Sequence, residues 1–224
     1  MNFVSLKSYA KINLSLRVLR KLKKIHQIET LICFINHYDK ILIKQSDHKK
    51  HEVIFNGKFS KEIPRKNTVT KLLEILDNKK LLKNKKYLIK IKKNIPQKSG
   101  LGGGSINAST IFNYLIKINQ LKINLNQKYQ ICNKIGSDVL FGLDRKISLL
   151  NSKNKLIKSN KKFRSNLIVI KPNFGCSTKQ IYKEVKFYSK SNFKNFNKNS
   201  LKISSLIRLQ NDLEAIVFKQ YPIL

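Results

Sequence analysis

The sequence predicts an α+β fold, and three observations carry that prediction. Segments with the two-residue alternation of strands come first, apolar positions at helical steps of three and four follow, and short strand-like segments return afterwards. Strand alternation marks residues 8–19, 31–36, 40–44 and 53–56. Residues 67–76 read as a helix, with Asn67 or Thr68 as its cap and Val69, Leu72, Leu73 and Leu76 as its buried stripe. Tyr87, Ile89 and Ile91 then alternate with Leu88, Lys90 and Lys92, so a strand covers residues 87–92. Beyond Pro96 the chain reads Gly100-Leu101-Gly102-Gly103-Gly104-Ser105-Ile106-Asn107-Ala108. Ala108, Ile111, Phe112, Leu115 and Ile118 fall on one face of a helix over residues 105–119.

A further helix over residues 126–135 ends at Gly136, and short strands at 146–150 and 156–158 flank an Asn/Lys/Ser turn. The chain becomes polar over residues 161–166, after which 167–170 reads as a fully buried strand closed by Pro172. A boundary at that point gives domains 1–163 and 164–224. Residues 186–202, biased towards Lys, Asn, Ser and Phe, read as a loop with no physical reason to order itself, and residues 212–219 as a last helix.

At 224 residues and 41% hydrophobic content, the chain can fill one large or two modest cores. A net charge of +35 and a pI near 10.2 would ordinarily suggest nucleic acid. Only six of the 47 basic residues are Arg, however, and the Lys excess runs through every segment beside abundant Asn and Ile. That is the mark of coding bias and a solvated surface rather than of a patch built for bidentate phosphate or base recognition, so nucleic acid is not the expected partner. Cys33, Cys132 and Cys176 are isolated thiols without metal or disulfide spacing, which suits a reducing cytoplasm. His48 and His51 lack the partners of a metal cage. The apolar runs are too short to span a bilayer.

Strand, glycine loop, helix is an order with direct chemical meaning. A helix start carries orphan N–H groups and partial positive charge, and glycines let a polyphosphate approach them closely. Each such charge-dipole contact is worth about 0.3–1 kcal/mol, so tight binding needs a cation or Mg²⁺ as well. Ser105 and Asn107, in the first turn, stand where a hydroxyl and an amide could be added. The spelling excludes a Walker A loop, which needs Gly-Lys-Ser/Thr, and a dinucleotide fingerprint, where Ser105 replaces the last Gly.

The run from Pro96 to Ala108 resembles the ATP-binding motif of the GHMP small-molecule kinases. Three further segments resemble motifs of that family in the same order: Ser8-Tyr9-Ala10-Lys11-Ile12-Asn13-Leu14, Gly136-Ser137-Asp138-Val139, and Asn211-Asp212-Leu213-Glu214. His26, with Glu29 and Thr30 behind it, resembles a histidine motif in the branch whose acceptor is a cytidine diphosphate-linked methylerythritol. The resemblance implies the GHMP kinase fold: an N-terminal ribosomal-protein-S5-domain-2-like α+β domain followed by a ferredoxin-like C-terminal domain. It also implies ATP and Mg²⁺ as cofactors, and transfer of the γ-phosphoryl group to an alcohol.

On the same grounds Asp138 would take the hydroxyl proton and Lys11 would stabilise the developing alkoxide. Pro96, Gly100, Leu101, Gly102, Gly103, Gly104, Ser105, Asn107 and Asn67 would surround ATP, with Ser105 the candidate Mg²⁺ ligand. Asn13, His26, Thr178 and Tyr182 would meet the substrate, Tyr182 by stacking on cytosine. Ile25 stands where the family has a second aromatic, and Leu140 where it has a proline. The family also continues into a third glycine-rich motif resembling Thr-Gly-Thr-Gly-Ala, which nothing here matches. The C-terminal domain is therefore expected to be incomplete, either in a shortened product or in a chain that pairs with a partner chain, a homodimer included. Two other readings remain: a kinase of the same fold acting on an alcohol such as homoserine or mevalonate, and a basic nucleic-acid-binding protein on a related scaffold.

Overall fold

The computed structural model describes residues 2–23, 25–160, 165–193 and 209–224. They form β1 (Val4–Lys21), β2 (His26–Ser46), β3 (Glu52–Asn56), α1 (Thr68–Asn78), β4 (Lys86–Lys92), α2 (Gly103–Ile118) and α3 (Leu125–Ile135). A 3₁₀ turn (Ser137–Leu143), β5 (Ile147–Leu150), β6 (Leu156–Ser159), α4 (Thr178–Lys183) and a final helix, Glu214–Gln220, follow. β1 pairs with β2. The chain divides into two compact units, one of residues 1–11, 35–97 and 101–145, the other of residues 12–34, 98–100 and 146–224. The units interleave along the sequence, whereas the polar stretch near 161–166 had suggested a single cut.

In the first unit, the C-terminal half of β2 pairs antiparallel with β4, from Lys40 opposite Lys92 to Ser46 opposite Lys86. β3 lies parallel to β4 on its other side. The alternation that predicted β4 is the one observed, with Tyr87, Ile89 and Ile91 buried. They join Ile41 and Ile43 of β2, Leu72, Leu73 and Leu76 of α1, Ile111, Phe112 and Leu115 of α2, and Ile131 and Cys132 of α3 in one core. Burial pushes the Cys132 thiol up to about 12, so it stays a neutral packing group. At the start of α1, Asn67 and Thr70 form a reciprocal capping box, which fixes where the helix begins.

In the second unit, residues 30–32 of β2 pair antiparallel with β5, and β5 with β6. Val18, Leu31, Ile32 and Leu149 are wholly buried there. Leu16 forms a parallel bridge with Asn211, and the amide of Val18 donates to the Asp212 carboxylate at 2.8 Å.

Four expectations change. β2 is one strand of 21 residues where two were expected, at 31–36 and 40–44; exposed Asn36 and His37 interrupt the apolar pattern without ending the strand. α2 starts at Gly103, because Gly102 takes a left-handed conformation at φ +70° and ends the loop there. The buried strand expected at 167–170 is absent: Ile168 and Ile170 are 87% and 85% exposed. Among the described residues no strand pairs with this run, so its backbone lacks the partner that alternation alone cannot supply. The loop expected over 186–202 is pinned in its first part, since Ser189 donates to the Val18 carbonyl and Ser191, Asn192 and Phe193 to the buried Glu29 carboxylate. Its remainder lies outside the described residues. No helix among the described residues is long and apolar enough to cross a membrane.

Candidate active site

β4 delivers the chain to Pro96, and the glycine run then turns into α2. Gly100 and Gly102 both have positive φ, +74° and +70°, a backbone region glycine occupies without steric cost. At Gly102 a second constraint applies: an added Cβ would sit 2.8 Å from Cγ of Lys11. Only hydrogen fits between the loop and that lysine. No side chain caps the start of α2 among the described residues, and the orphan amides of a helix start are donors of the kind an anion takes. The Thr68 hydroxyl donates to the Gly104 carbonyl at 2.7 Å, which brings the N-terminus of α1 beside that of α2. Two positive helix ends therefore meet at the glycine run.

Lys11, on β1, is fastened to the same loop, its amide donating to the Leu101 carbonyl at 3.0 Å. Its ammonium lies 3.2 Å from Oδ2 of Asp138 in an ion pair whose lysine side chain is 7% exposed and whose aspartate is 33% exposed. Asp138 stands in the first turn of the 3₁₀ turn after Gly136. A Cβ at Gly136 would lie 3.8 Å from the Ser105 hydroxyl, so Ser105 reaches the neighbourhood of that turn. The structure thus brings Lys11, Asp138, the start of α2 at Gly102 and Gly103, and Ser105 together within the first unit: a carboxylate able to take a proton, a cation beside it, and a helix start of the kind that attracts anionic charge.

Two expected nucleotide residues are placed differently. Asn107 is buried, and its amide donates to Asp39 at 3.0 Å rather than being offered to a phosphate. Position in the first turn suggested exposure, but this face of α2 packs inward. The side chain of Asn67 is spent on its own turn, accepting from Val69 and Thr70 and donating to the carbonyls of Pro64 and Arg65. Its part is to fix the start of α1.

In the second unit, the His26 and Tyr182 rings stack at 5.2 Å and 30°. Burial first, and the charge of Lys21 second, hold His26 below the usual histidine value, so near neutrality the ring both donates and accepts. The Asn13 amide donates to the Thr30 hydroxyl at 2.8 Å, and that hydroxyl to the Ser15 carbonyl at 2.6 Å. Thr178 is exposed at the start of α4, whose cap is Ser177. Ile25 is 66% exposed and offers no ring.

Sequence reasoning missed Asp39, Lys93 and the reach of Thr68 to the glycine loop. Thr68 had a local signal as a helix cap, though its bond to the glycine loop has none. Asp39 and Lys93 form a buried ion pair in which 0% and 4% of the side chains are exposed. In sequence they are an ordinary strand-edge acid and one lysine among many. His48 and His51 face separate carboxylates, Glu52 and Asp77.

Residues 67–145 match the family model of the GHMP kinases N terminal domain, the segment that carries the glycine run and Asp138. A 4-diphosphocytidyl-2-C-methyl-D-erythritol kinase of Pelagibacter ubique (strain HTCC1062) is 47% identical over 222 residues, 99% of this chain and 79% of that protein. One from Thermoanaerobacter pseudethanolicus (strain ATCC 33223 / 39E) is 30% identical over 100% of this chain and 78% of its own length. Among solved structures, a crystal structure of 4-(cytidine 5'-diphospho)-2C-methyl-D-erythritol kinase matches with a TM-score of 0.72 at 20% identity, covering 99% of this chain and 80% of that one. At that identity the likeness is one of fold, and the α+β architecture is that of the GHMP kinases. Identity of this extent over nearly the whole chain decides the relationship: the chain belongs to the 4-diphosphocytidyl-2-C-methyl-D-erythritol kinase family, a branch of the GHMP kinases.

Proposed function

We propose that this protein is an ATP-dependent kinase that phosphorylates the 2-hydroxyl of 4-diphosphocytidyl-2-C-methyl-D-erythritol, a step of non-mevalonate isoprenoid precursor biosynthesis. The observation that carries the reading is the Lys11–Asp138 pair at 3.2 Å with Lys11 tied by its backbone to the glycine run. The carboxylate takes the proton of the attacking hydroxyl, an oxygen–phosphorus bond forms, the γ-phosphorus–oxygen bond to ADP breaks, and the ammonium offsets the negative charge that builds on the alkoxide. The paired starts of α1 and α2 hold the phosphates.

Magnesium would be carried in on phosphate oxygens, and the half-buried Ser105 hydroxyl is a hard oxygen donor of the kind it accepts. When bound it neutralises phosphate charge. Neutral His26 offers both a donor and an acceptor to a cytosine edge, and the face of Tyr182 a surface for base stacking. Three free cysteines suit the reducing cytoplasm where ATP is abundant.

The test is incubation of the purified chain with MgATP and equal amounts of the cytidine diphosphate-linked alcohol, homoserine and mevalonate, followed by mass spectrometry. Phosphate should appear on the cytidylyl compound alone, with cytidine nucleotides competing. Phosphorylation of homoserine or mevalonate instead would transfer the chain to another branch of the same fold.

A further inference from the structure

We infer that Asp39 is a positioning residue for the phosphate loop, holding the loop's approach and its exit in one buried grip before nucleotide arrives; the inference rests on reading that loop as the ATP site. Asp39, on β2, is wholly buried. Its Oδ1 accepts the backbone amides of Asn94 and Ile95 at 2.7 and 2.8 Å, immediately before Pro96. Its Oδ2 accepts the Lys93 ammonium and the Asn107 amide, the latter at 3.0 Å. Asn107 lies one turn into α2, just beyond the glycines. One carboxylate therefore joins the chain entering the loop to the helix leaving it.

The Lys93 ammonium is packed beneath the same helix start, 3.2 Å from where a Cβ of Gly103 would be. The Asn94 side chain also donates to the Tyr38 carbonyl at 2.9 Å, so β2 holds this approach at a second point. Taking two charges and an amide out of water is a poor way to gain stability, since apolar packing of the same volume does as well or better. A carboxylate with four donors converging on it does something packing cannot: it fixes the direction of two backbone amides and one helix together. Preorganised donors need no rearrangement when charge arrives.

Asp39→Asn keeps the shape and an acceptor for the two amides. It leaves the Asn107 amide and the Lys93 ammonium facing a donor. Asn107→Ala cuts only the link to the helix and keeps the ion pair, so it should fold even if Asp39→Asn does not.

Amide hydrogen exchange on the nucleotide-free variants reads the grip directly. We expect roughly tenfold faster exchange in residues 101–107, the loss expected for one hydrogen bond to a charged group, while amides of α1 around Leu72 change no more than the unfolding midpoint requires. In turnover, KM for MgATP should rise by about the same factor and KM for the alcohol stay unchanged. Wild-type loop exchange in Asn107→Ala, or acceleration in equal proportion across α1 and the loop, would overturn the inference. Exchange needs no turnover, so a wild-type chain that fails to phosphorylate its substrate would refute the kinase reading and still leave the grip decided.

Discussion

At the scale of single residues, the proposed chemistry rests on Asp138 and its ion-pair partner Lys11. Asp138→Asn keeps the shape and removes the proton acceptor, so kcat should fall by about 10²–10⁴-fold with little change in nucleotide affinity, as measured by steady-state turnover beside calorimetric titration with MgATP. His26 sets a pH dependence. Its pKa is lowered from 6.5, mainly by burial, so the neutral ring dominates at pH 7 and above. KM for the cytidylyl substrate should be flat from there upward and rise once pH falls below 6.5 through that lowered value; a profile flat to lower pH would remove His26 from base recognition. The pairing of Lys11 with Asp138 was legible in the sequence because each sits inside a short spelled motif. Asp39 was not, because its partners Lys93 and Asn107 lie 54 and 68 residues away and no local pattern marks it.

At the scale of elements, the glycine run shows how backbone conformation and side-chain space coincide. Gly102→Ala meets a strained φ and pushes a Cβ against Lys11, so it should lower kcat/KM for ATP by tenfold or more, roughly the effect of misplacing a catalytic group. Loss of the cap in Asn67→Ala should cost about 1 kcal/mol of stability in denaturant unfolding. Helices and their starts were readable because capping and 3.6-residue periodicity are local properties. The expected strand at 167–170 shows the limit of the same reasoning, since its apolar spelling is correct but a strand also requires a partner. Ile168→Ser with Ile170→Ser should therefore shift stability by less than about 0.5 kcal/mol, whereas Leu72→Ala in the first unit's core should cost about 2–5 kcal/mol. A comparable loss in both would mean the exposed run is buried in solution.

At the scale of the whole molecule, the α+β class followed from the order of periodicities, and the glycine loop with Asp138 falls inside the segment that matches the family model. The interleaving of two units was not readable, because β1 and β2 each run through both and composition does not change where they cross. The net charge of +35 acts on encounter rather than on fold. Both proposed substrates are polyanions, so kcat/KM should fall as ionic strength rises while kcat barely moves; salt-independent kcat/KM would show that the lysines take no part in capture.

The most direct test is transfer of labelled γ-phosphate from ATP to 4-diphosphocytidyl-2-C-methyl-D-erythritol by the wild-type chain beside Asp138→Asn. A phosphorylated product whose rate of formation collapses in the variant, with MgATP still bound, is the result expected. Product formed equally fast by both would contradict the assignment of the base, and MgATP binding with no product from the folded wild-type chain would contradict the proposed activity.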